Sequence, residues 1–308
     1  MLPASFQPML EARLPSQMQP LWWKTPDELE QLAPRAEIGW FDLFAKPSAL
    51  RALASARDLR WLNTAFAGVD WLPLGDLHQR GVTLTNGSGL TAVTVAEFTV
   101  MGMIAIARDY RTIVRAQDAG EWIEGEGGDR ELAGSRALLL GYGSIGRRIG
   151  MLLRALGMDV VPVRSRPSAE ALGPDDWRGR LDEFDWIVLS LPATRSTAGL
   201  ISSDEFAAMK QSAILVNVGR AETVDQVRLA RALSERRIAA AMLDLTDPEP
   251  LPPGHSLWEL DNVHITMHRA GRPTPASRRR AADRFAANCA SYLAGAPLEA
   301  RVNLLRGY

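Results

Sequence analysis

The chain has 308 residues, room for two domains of ordinary size, and its 46% hydrophobic and 23% charged content is that of a globular protein, not a disordered or fibrous one. Lys and Arg number 35 against 36 Asp and Glu, a net charge of -1 that offers neither a basic footprint for nucleic acid nor a polybasic membrane patch. The single cysteine, Cys289, excludes an intrachain disulfide framework and fits a reducing compartment.

In chain order, residues 1–18 carry Pro3, Pro8 and Pro15 and yield no assignable first strand. Short apolar runs at 36–41, 59–64 and 81–86 predict buried strands, with helices at 26–32 and 48–56 between them. Strands alternating with helices imply a parallel sheet covered on both faces. Residues 94–116, rich in Val, Ala, Met and Ile, predict one long helix, and the Gly- and acid-rich stretch 118–129 an exposed loop. A regular series then begins. Strands are predicted at 136–140, 159–163, 185–191, 213–218, 239–245 and 262–268, and helices at 144–156, 203–210 and 224–235. This is the element sequence of a doubly wound nucleotide-binding domain. An amphipathic helix at 275–293 closes the chain. No run approaches the ~18 apolar residues that span a bilayer, and the first residues lack the basic and apolar stretches of a secretory signal. The expectation is a cytoplasmic protein with no nucleic-acid, membrane or metal partner.

Gly141, Gly143 and Gly146 form G-x-G-x-x-G directly after the apolar run Ala137–Leu140. Alone, this pattern marks any glycine turn between a strand and a helix. Here the next helix carries Ile145, Ile149, Leu152, Leu153 and Leu156 on one face, spaced to pack on a sheet. Gly141 permits the tight turn, Gly143 lets the backbone approach a pyrophosphate, and Gly146 lets helix and strand pack closely. Ser144 and Ile145 open the helix, whose N-terminus offers N–H groups and a positive dipole to phosphates. The following strand ends in Arg164, Ser165 and Arg166, without the Asp or Glu that bonds an NAD ribose 2′-OH. Two guanidiniums and a hydroxyl suit a 2′-phosphate, so NADP(H) is expected over NAD(H). The missing acid also argues against a methyltransferase.

A wider pattern follows: Leu191-Pro192-Ala193-Thr194 to Leu200-Ile201, Met209-Lys210, Asn217-Val218-Gly219-Arg220, Leu243-Asp244, Glu249-Pro250, Leu257-Trp258 and Thr266-Met267-His268. In order and spacing it resembles the D-isomer-specific 2-hydroxyacid dehydrogenase family, over nearly the whole chain from about Ala65 onward. The Ser165-Arg166 pair and the ending Arg306-Gly307-Tyr308 are similar to the NADPH-dependent glyoxylate/hydroxypyruvate reductases of that family. The resemblance implies an α/β protein of two doubly wound parallel-sheet domains. One is a Rossmann dinucleotide domain at 93–272; the other is a flavodoxin-like substrate domain made of 1–92 and 273–308. It implies a cleft between them, hinges near 92 and 272 that permit closure, and a homodimer formed through the apolar helix and loop at 94–130.

The resemblance also implies a catalytic set of Arg220, Glu249 and His268, and the chemistry agrees. Arg220 can fork onto the carboxylate and carbonyl oxygens of a 2-keto acid. His268 can give a proton as hydride reaches the carbonyl carbon, and Glu249 can orient its ring. Leu191, Pro192, Val218, Gly219 and Asp244 would line the dinucleotide, Asp244 near the nicotinamide amide. The turn at Ala67 and Gly68 would hold the substrate carboxylate, beside Arg220 and His268. Three positions depart from the family pattern: Met267 replaces the usual proline, Arg269 stands where a small or apolar residue is usual, and Ala221 replaces a glycine. The expected function is hydride transfer between NADP(H) and a small 2-keto or 2-hydroxy acid such as glyoxylate or hydroxypyruvate. The alternative is a dinucleotide-sensing regulator on the same fold. Formate oxidation is disfavoured, because such relatives carry Gln where Glu249 stands.

Overall fold

The computed structural model describes every residue except Phe44, Glu126, Ala169, Gly307 and Tyr308. Two residues of the ending compared above, Gly307 and Tyr308, therefore lie outside the described residues. The chain divides into two compact units, Met1–Thr91 with Pro273–Tyr308, and Ala92–Arg272.

In the first unit the strands are β1 (Leu2–Pro3), β2 (Trp22–Trp23), β3 (Ile38–Trp40), β4 (Trp61–Asn63) and β5 (Thr83–Thr85). The helices are α1 (Gln7–Leu10), α2 (Pro26–Leu32), α3 (Lys46–Ser55), α4 (Leu74–Gln79) and, from the end of the chain, α10 (Pro275–Leu293). All strand pairs are parallel. The strands form a two-stranded sheet, β1-β2, and a three-stranded sheet, β3-β4-β5; the Met1 amine donates to Ile38 O and the Trp40 N–H to Met1 O, which sets β1 beside β3 in a flavodoxin-like arrangement. One face packs Leu29, Ala52, Leu53 and Leu77 from α2, α3 and α4. On the other face Phe285, Ala281 and Cys289 of α10 meet Trp40 and Trp61, with the Phe285 ring 5.0 Å and 5.1 Å from the two indoles. Thr274 caps α10 by accepting from Ser277 N–H, and Pro275 occupies its first position, where no amide hydrogen is needed.

Burial pushes the Cys289 thiol up to about 12, so the thiolate that reacts with electrophiles is scarce. Iodoacetamide is expected to leave Cys289 unmodified in the native protein and to label it stoichiometrically in denaturant. Fast labelling without denaturant would show that α10 detaches from the sheet.

The second unit holds α5 (Ala92–Ala107), α6 (Tyr110–Ala119), β6 (Arg136–Leu140), α7 (Ser144–Ala155), β7 (Asp159–Val163), β8 (Trp186–Leu189), α8 (Ser203–Ala208), β9 (Ile214–Asn217), α9 (Gln226–Ser234), β10 (Ala240–Leu243) and β11 (Val263–Ile265). Its described strands form a parallel sheet in the order β7-β6-β8-β9-β10-β11. A single parallel bridge, Val163 with Leu172, adds a further step outside β7. Val95, Ala96, Met103, Ile149 and Leu153 from α5 and α7 cover one face. Trp177, Phe206, Leu229 and Leu233 cover the other. The chain leaves β6 toward β7 on one side and returns to β8 on the other. The C-terminal ends of β6 and β8 thus flank the switch point where doubly wound sheets bind ligands.

The single helix expected at 94–116 is in fact two. The buried stripe Val95, Ala96, Thr99, Met103 and Ala107 ends with α5, and α6 buries no residue. Between them Asp109 takes a φ of +45°, a conformation Asp tolerates better than most residues. Its carboxylate accepts from Thr112 Oγ1 at 2.9 Å. Packing, not the apolar composition, decides where the helix stops. Among the described residues no helix is long and apolar enough to cross a membrane.

Candidate active site

The dinucleotide turn is built where β6 ends. Gly141 sits at φ +95°, which turns the strand sharply into α7. A Cβ at Gly146 would fall inside contact distance of the Gly141 carbonyl oxygen and 2.9 Å from Ser190 Oγ, so only glycine permits this approach. Ser190 Oγ donates to the same carbonyl at 2.9 Å. At Gly143 a Cβ would meet nothing within 4 Å, so the backbone there is open to a ligand. The first intrahelical bond of α7 is Arg147 N–H to Gly143 O, which leaves the N–H groups from Gly143 to Gly146, including Ser144 and Ile145, without intrahelical partners. Beyond β7, Arg164, Ser165 and Arg166 are all exposed. The Arg164 N–H is held by Leu172 O at 3.0 Å. Among the described residues neither guanidinium is paired with a carboxylate. These features fit a dinucleotide: donors for a pyrophosphate at the turn, and unneutralised cations where the second strand ends.

The next strand ends bring the other residues. Leu191 and Pro192 follow β8. A Cβ at Gly219 would lie 2.6 Å from Leu191 O and 2.7 Å from Leu191 N, so glycine lets the chain after β9 press on that backbone. Val218 is buried and its N–H donates to Leu189 O at 3.0 Å. Arg220 is anchored through its carbonyl, which accepts from Asn217 Nδ2 at 2.9 Å and Thr223 Oγ1 at 2.7 Å. Its Nη1 donates to Gly219 O at 2.9 Å. Asn217 and Thr223 were not singled out from sequence as site residues. Only the Asn-Val-Gly-Arg string hinted at the first.

Beyond β10 and β11, His268 Nδ1 lies 2.7 Å from Glu249 Oε1, and both side chains are about half exposed. An ionised carboxylate only accepts, which places the hydrogen on Nδ1 and leaves Nε2 for a substrate. The loop carrying Glu249 is clamped by Gln226, whose Oε1 accepts from Asp247 N–H at 3.0 Å and whose Nε2 donates to Asp247 O at 2.6 Å. Nothing in the sequence marked Gln226. Met267 and His268 both sit at φ +53°, which costs each non-glycine residue on the order of 1–2 kcal/mol. Asp244 is buried, and its Oδ1 accepts from Thr266 Oγ1 at 2.6 Å, Arg269 N–H at 2.9 Å and Ala270 N–H at 3.2 Å. Oδ2 has a longer contact, 3.3 Å to the Ala270 N–H. Asp244 was expected only beside a nicotinamide; it also builds the histidine turn.

In the other unit, Ala67 is exposed and its carbonyl accepts from Asn86 Nδ2 at 2.8 Å. The turn at Ala67 and Gly68 follows a segment fixed by half-buried Asp42, which accepts from Thr64 Oγ1 at 2.5 Å, Ala65 N–H at 2.7 Å and Trp40 Nε1 at 2.7 Å. Burial raises the Asp42 carboxyl above the ordinary range, against the pull of these three donors.

A glycine turn at the switch point of a parallel sheet, with a histidine–carboxylate pair at the ends of neighbouring strands, is the build of a dinucleotide-dependent oxidoreductase domain. The model of the D-isomer specific 2-hydroxyacid dehydrogenase NAD-binding domain matches residues 100–270. The glyoxylate reductase of Aeropyrum pernix is 33% identical over 255 residues, 79% of this chain and 76% of that protein. A family member of known structure from Aeromonas salmonicida aligns with a TM-score of 0.87 at 28% identity, covering 98% of this chain and 96% of the other. Another, from Xanthobacter autotrophicus in complex with NADPH and MES, aligns at 0.73 with 31% identity, covering 83% and 82%. The chain spans 42% and 49% of the length of two curated D-3-phosphoglycerate dehydrogenases that it matches. The chain belongs to the D-isomer specific 2-hydroxyacid dehydrogenase family, and a nicotinamide dinucleotide is the cofactor class of its sheet.

Proposed function

We propose that this chain reduces a small 2-keto acid, such as glyoxylate or hydroxypyruvate, to its 2-hydroxy acid, with NADPH preferred over NADH. The observation that carries this reading is the 2.7 Å pairing of His268 Nδ1 with Glu249, which frees Nε2 as a proton donor. The reduced nicotinamide, when bound, supplies the hydride. Arg220 binds the substrate carboxylate and carbonyl oxygen and stabilises the charge that gathers on that oxygen. As hydride adds to the carbonyl carbon, the C=O π pair moves to oxygen, and His268 Nε2 delivers the proton there. Glu249 fixes the ring and balances the imidazolium before transfer. We assign Ala67 and Gly68 as further carboxylate contacts. Gly141, Gly143, Ser144, Ile145 and Gly146 are assigned to the pyrophosphate, and Arg164, Ser165 and Arg166 to the 2′-phosphate. The substrate domain is assigned to 1–92 and 273–308 and the dinucleotide domain to 93–272.

The apolar side chains left exposed on α5, α6 and the following loop support a homodimer: Met101, Ile104, Tyr110, Ile113 and Trp122, the last at 90% exposure. The test of function is a panel of glyoxylate, hydroxypyruvate and phosphohydroxypyruvate, each with NADPH and NADH, followed by nicotinamide absorbance. The expected order places the two unphosphorylated acids with NADPH first. A chain that turns over none of the three overturns the reading, and one fastest on phosphohydroxypyruvate overturns its substrate class.

A further inference from the structure

In the first unit, four buried polar residues gather where the strands end: Asn63 closes β4 and Thr64 follows it, Thr85 closes β5 and Asn86 follows it. Half-buried Asp42 joins them from the loop after β3. A carboxylate is costly in such surroundings unless donors surround it, and the donors here converge on one stretch of chain. Asp42 Oδ1 accepts from Thr64 Oγ1 at 2.5 Å, and Oδ2 accepts from Ala65 N–H and Trp40 Nε1, both at 2.7 Å. Thr64 Oγ1 in turn accepts from the Phe66 N–H at 3.1 Å. The Phe66 carbonyl accepts from the Gly87 N–H at 2.8 Å, and the Ala67 carbonyl from Asn86 Nδ2 at 2.8 Å. A Cβ at Gly87 would fall on the Ala65 carbonyl oxygen, so that approach needs glycine. Every residue from Thr64 to Ala67 is thus tied to a strand end. The N–H groups of Ala67 and Gly68, by contrast, have no hydrogen-bond partner among the described residues. Successive free N–H groups at a turn suit an anion.

We propose that Asp42 is a positioning residue for the substrate: it fixes Thr64 and Ala65 so that the N–H groups of Ala67 and Gly68 form a preset pair for the substrate carboxylate. This rests on the reading of Ala67 and Gly68 as the carboxylate contact. The ordering of the turn is then completed on folding and is not charged against binding. A negative charge a few residues from an anion site opposes binding, so Asp42 contributes through the bonds it accepts and not through its charge. An amide can make the same bonds. With asparagine at 42, the side-chain oxygen replaces Oδ2 and accepts from Ala65 N–H and Trp40 Nε1. The nitrogen replaces Oδ1 and donates to Thr64 Oγ1, which has two lone pairs to offer.

The test uses the full chain saturated with NADPH and, as probe, oxamate, an amide analogue of a small 2-keto acid that accepts no hydride. Amide proton–nitrogen spectra show whether the Ala67 and Gly68 signals shift as oxamate is added, and the titration gives its Kd. Wild type, Asp42→Ala, Asp42→Asn and Thr64→Val are compared, with KM measured on the best acid of the panel. Losing one charge-assisted bond to a carboxylate is a ~10-fold effect or more. Asp42→Ala is therefore expected to raise the oxamate Kd and the KM by ~10-fold, with NADPH affinity within about threefold of wild type. Asp42→Asn is expected to recover most of that loss. Thr64→Val keeps the shape but drops the bonds of Oγ1 to Asp42 and to the Phe66 N–H, and should raise both constants by ~5-fold. A merely structural role would lower the melting temperature of Asp42→Ala and leave the oxamate Kd unmoved well below it. Unshifted Ala67 and Gly68 signals in the wild type overturn the reading of the turn, and the proposal with it. Shifted signals beside a wild-type Kd and KM in Asp42→Ala overturn the proposal and leave that reading intact. So does an Asp42→Asn variant as weak as Asp42→Ala. Should Asp42→Ala fail to fold, Thr64→Val decides alone, and a wild-type oxamate Kd there overturns the proposal.

Discussion

Replacing His268 with alanine is expected to lower kcat by ~10²–10⁴-fold, the range of a positioned general acid, while NADPH still binds with an affinity within about threefold of wild type. The split follows from the geometry. His268 and Glu249 stand beyond β11 and β10, away from the glycine turn after β6. The imidazole spends Nδ1 on Glu249, so its other nitrogen is the one left to give a proton to a carbonyl oxygen. Glu249→Gln keeps an acceptor oxygen near Nδ1 but removes the countercharge. Its kcat loss should therefore be smaller than that of His268→Ala. Turnover in His268→Ala within threefold of wild type would remove the histidine from the chemistry.

The second large effect concerns the cofactor. Arg164, Ser165 and Arg166 are exposed beyond β7, and neither guanidinium is paired with a carboxylate among the described residues. A charge-assisted bond to a 2′-phosphate contributes about 1.5–3 kcal/mol, less where solvent screens it. Two such bonds give on the order of 10²-fold preference for NADPH in kcat/KM, shrinking as salt is added. Arg164→Asp with Arg166→Ala removes the attraction and adds an acceptor for a ribose 2′-OH. The double variant is expected to favour NADH. The measurement is the ratio of kcat/KM for the two cofactors in both proteins. A wild-type preference for NADH would mean that these guanidiniums serve the solvent alone.

Strand periodicity and the glycine spacing carried most of this fold, because both are written in neighbouring residues. The central runs at 137–140, 186–189 and 214–216 are apolar on both faces, as a doubly covered parallel sheet requires. What stayed hidden depends on distant partners. Strands β1 and β2 have two residues each, too short for any period, and exist because Leu2 and Pro3 pair with Trp22 and Trp23, twenty residues away. The break at Asp109 was invisible because the apolar composition runs on into Ile113 and Val114 while the surface to pack against does not. In the candidate site, Arg220, Glu249 and His268 were singled out by type and order, and the structure pairs the last two. Their supports were not: Asn217 and Thr223 under the arginine, Gln226 under the glutamate loop, and the four bonds of Asp244 to the histidine turn. The substitution of Met267 for proline was visible as an oddity; the positive φ that it adopts was not.

The strand order has one more consequence. The arginines that would choose the dinucleotide follow β7, whereas the buried carboxylate under the proton donor follows β10. Between them lie β6, β8 and β9, and four strand spacings of ~4.8 Å put the two ends roughly 19 Å apart. Changes at such separation add in free energy instead of compounding. On the assignments proposed above, redox currency and acid chemistry would thus be independent modules along one sheet edge. A lineage carrying this domain could trade one nicotinamide cofactor for the other by altering a single surface loop, without retuning the histidine that finishes the reaction.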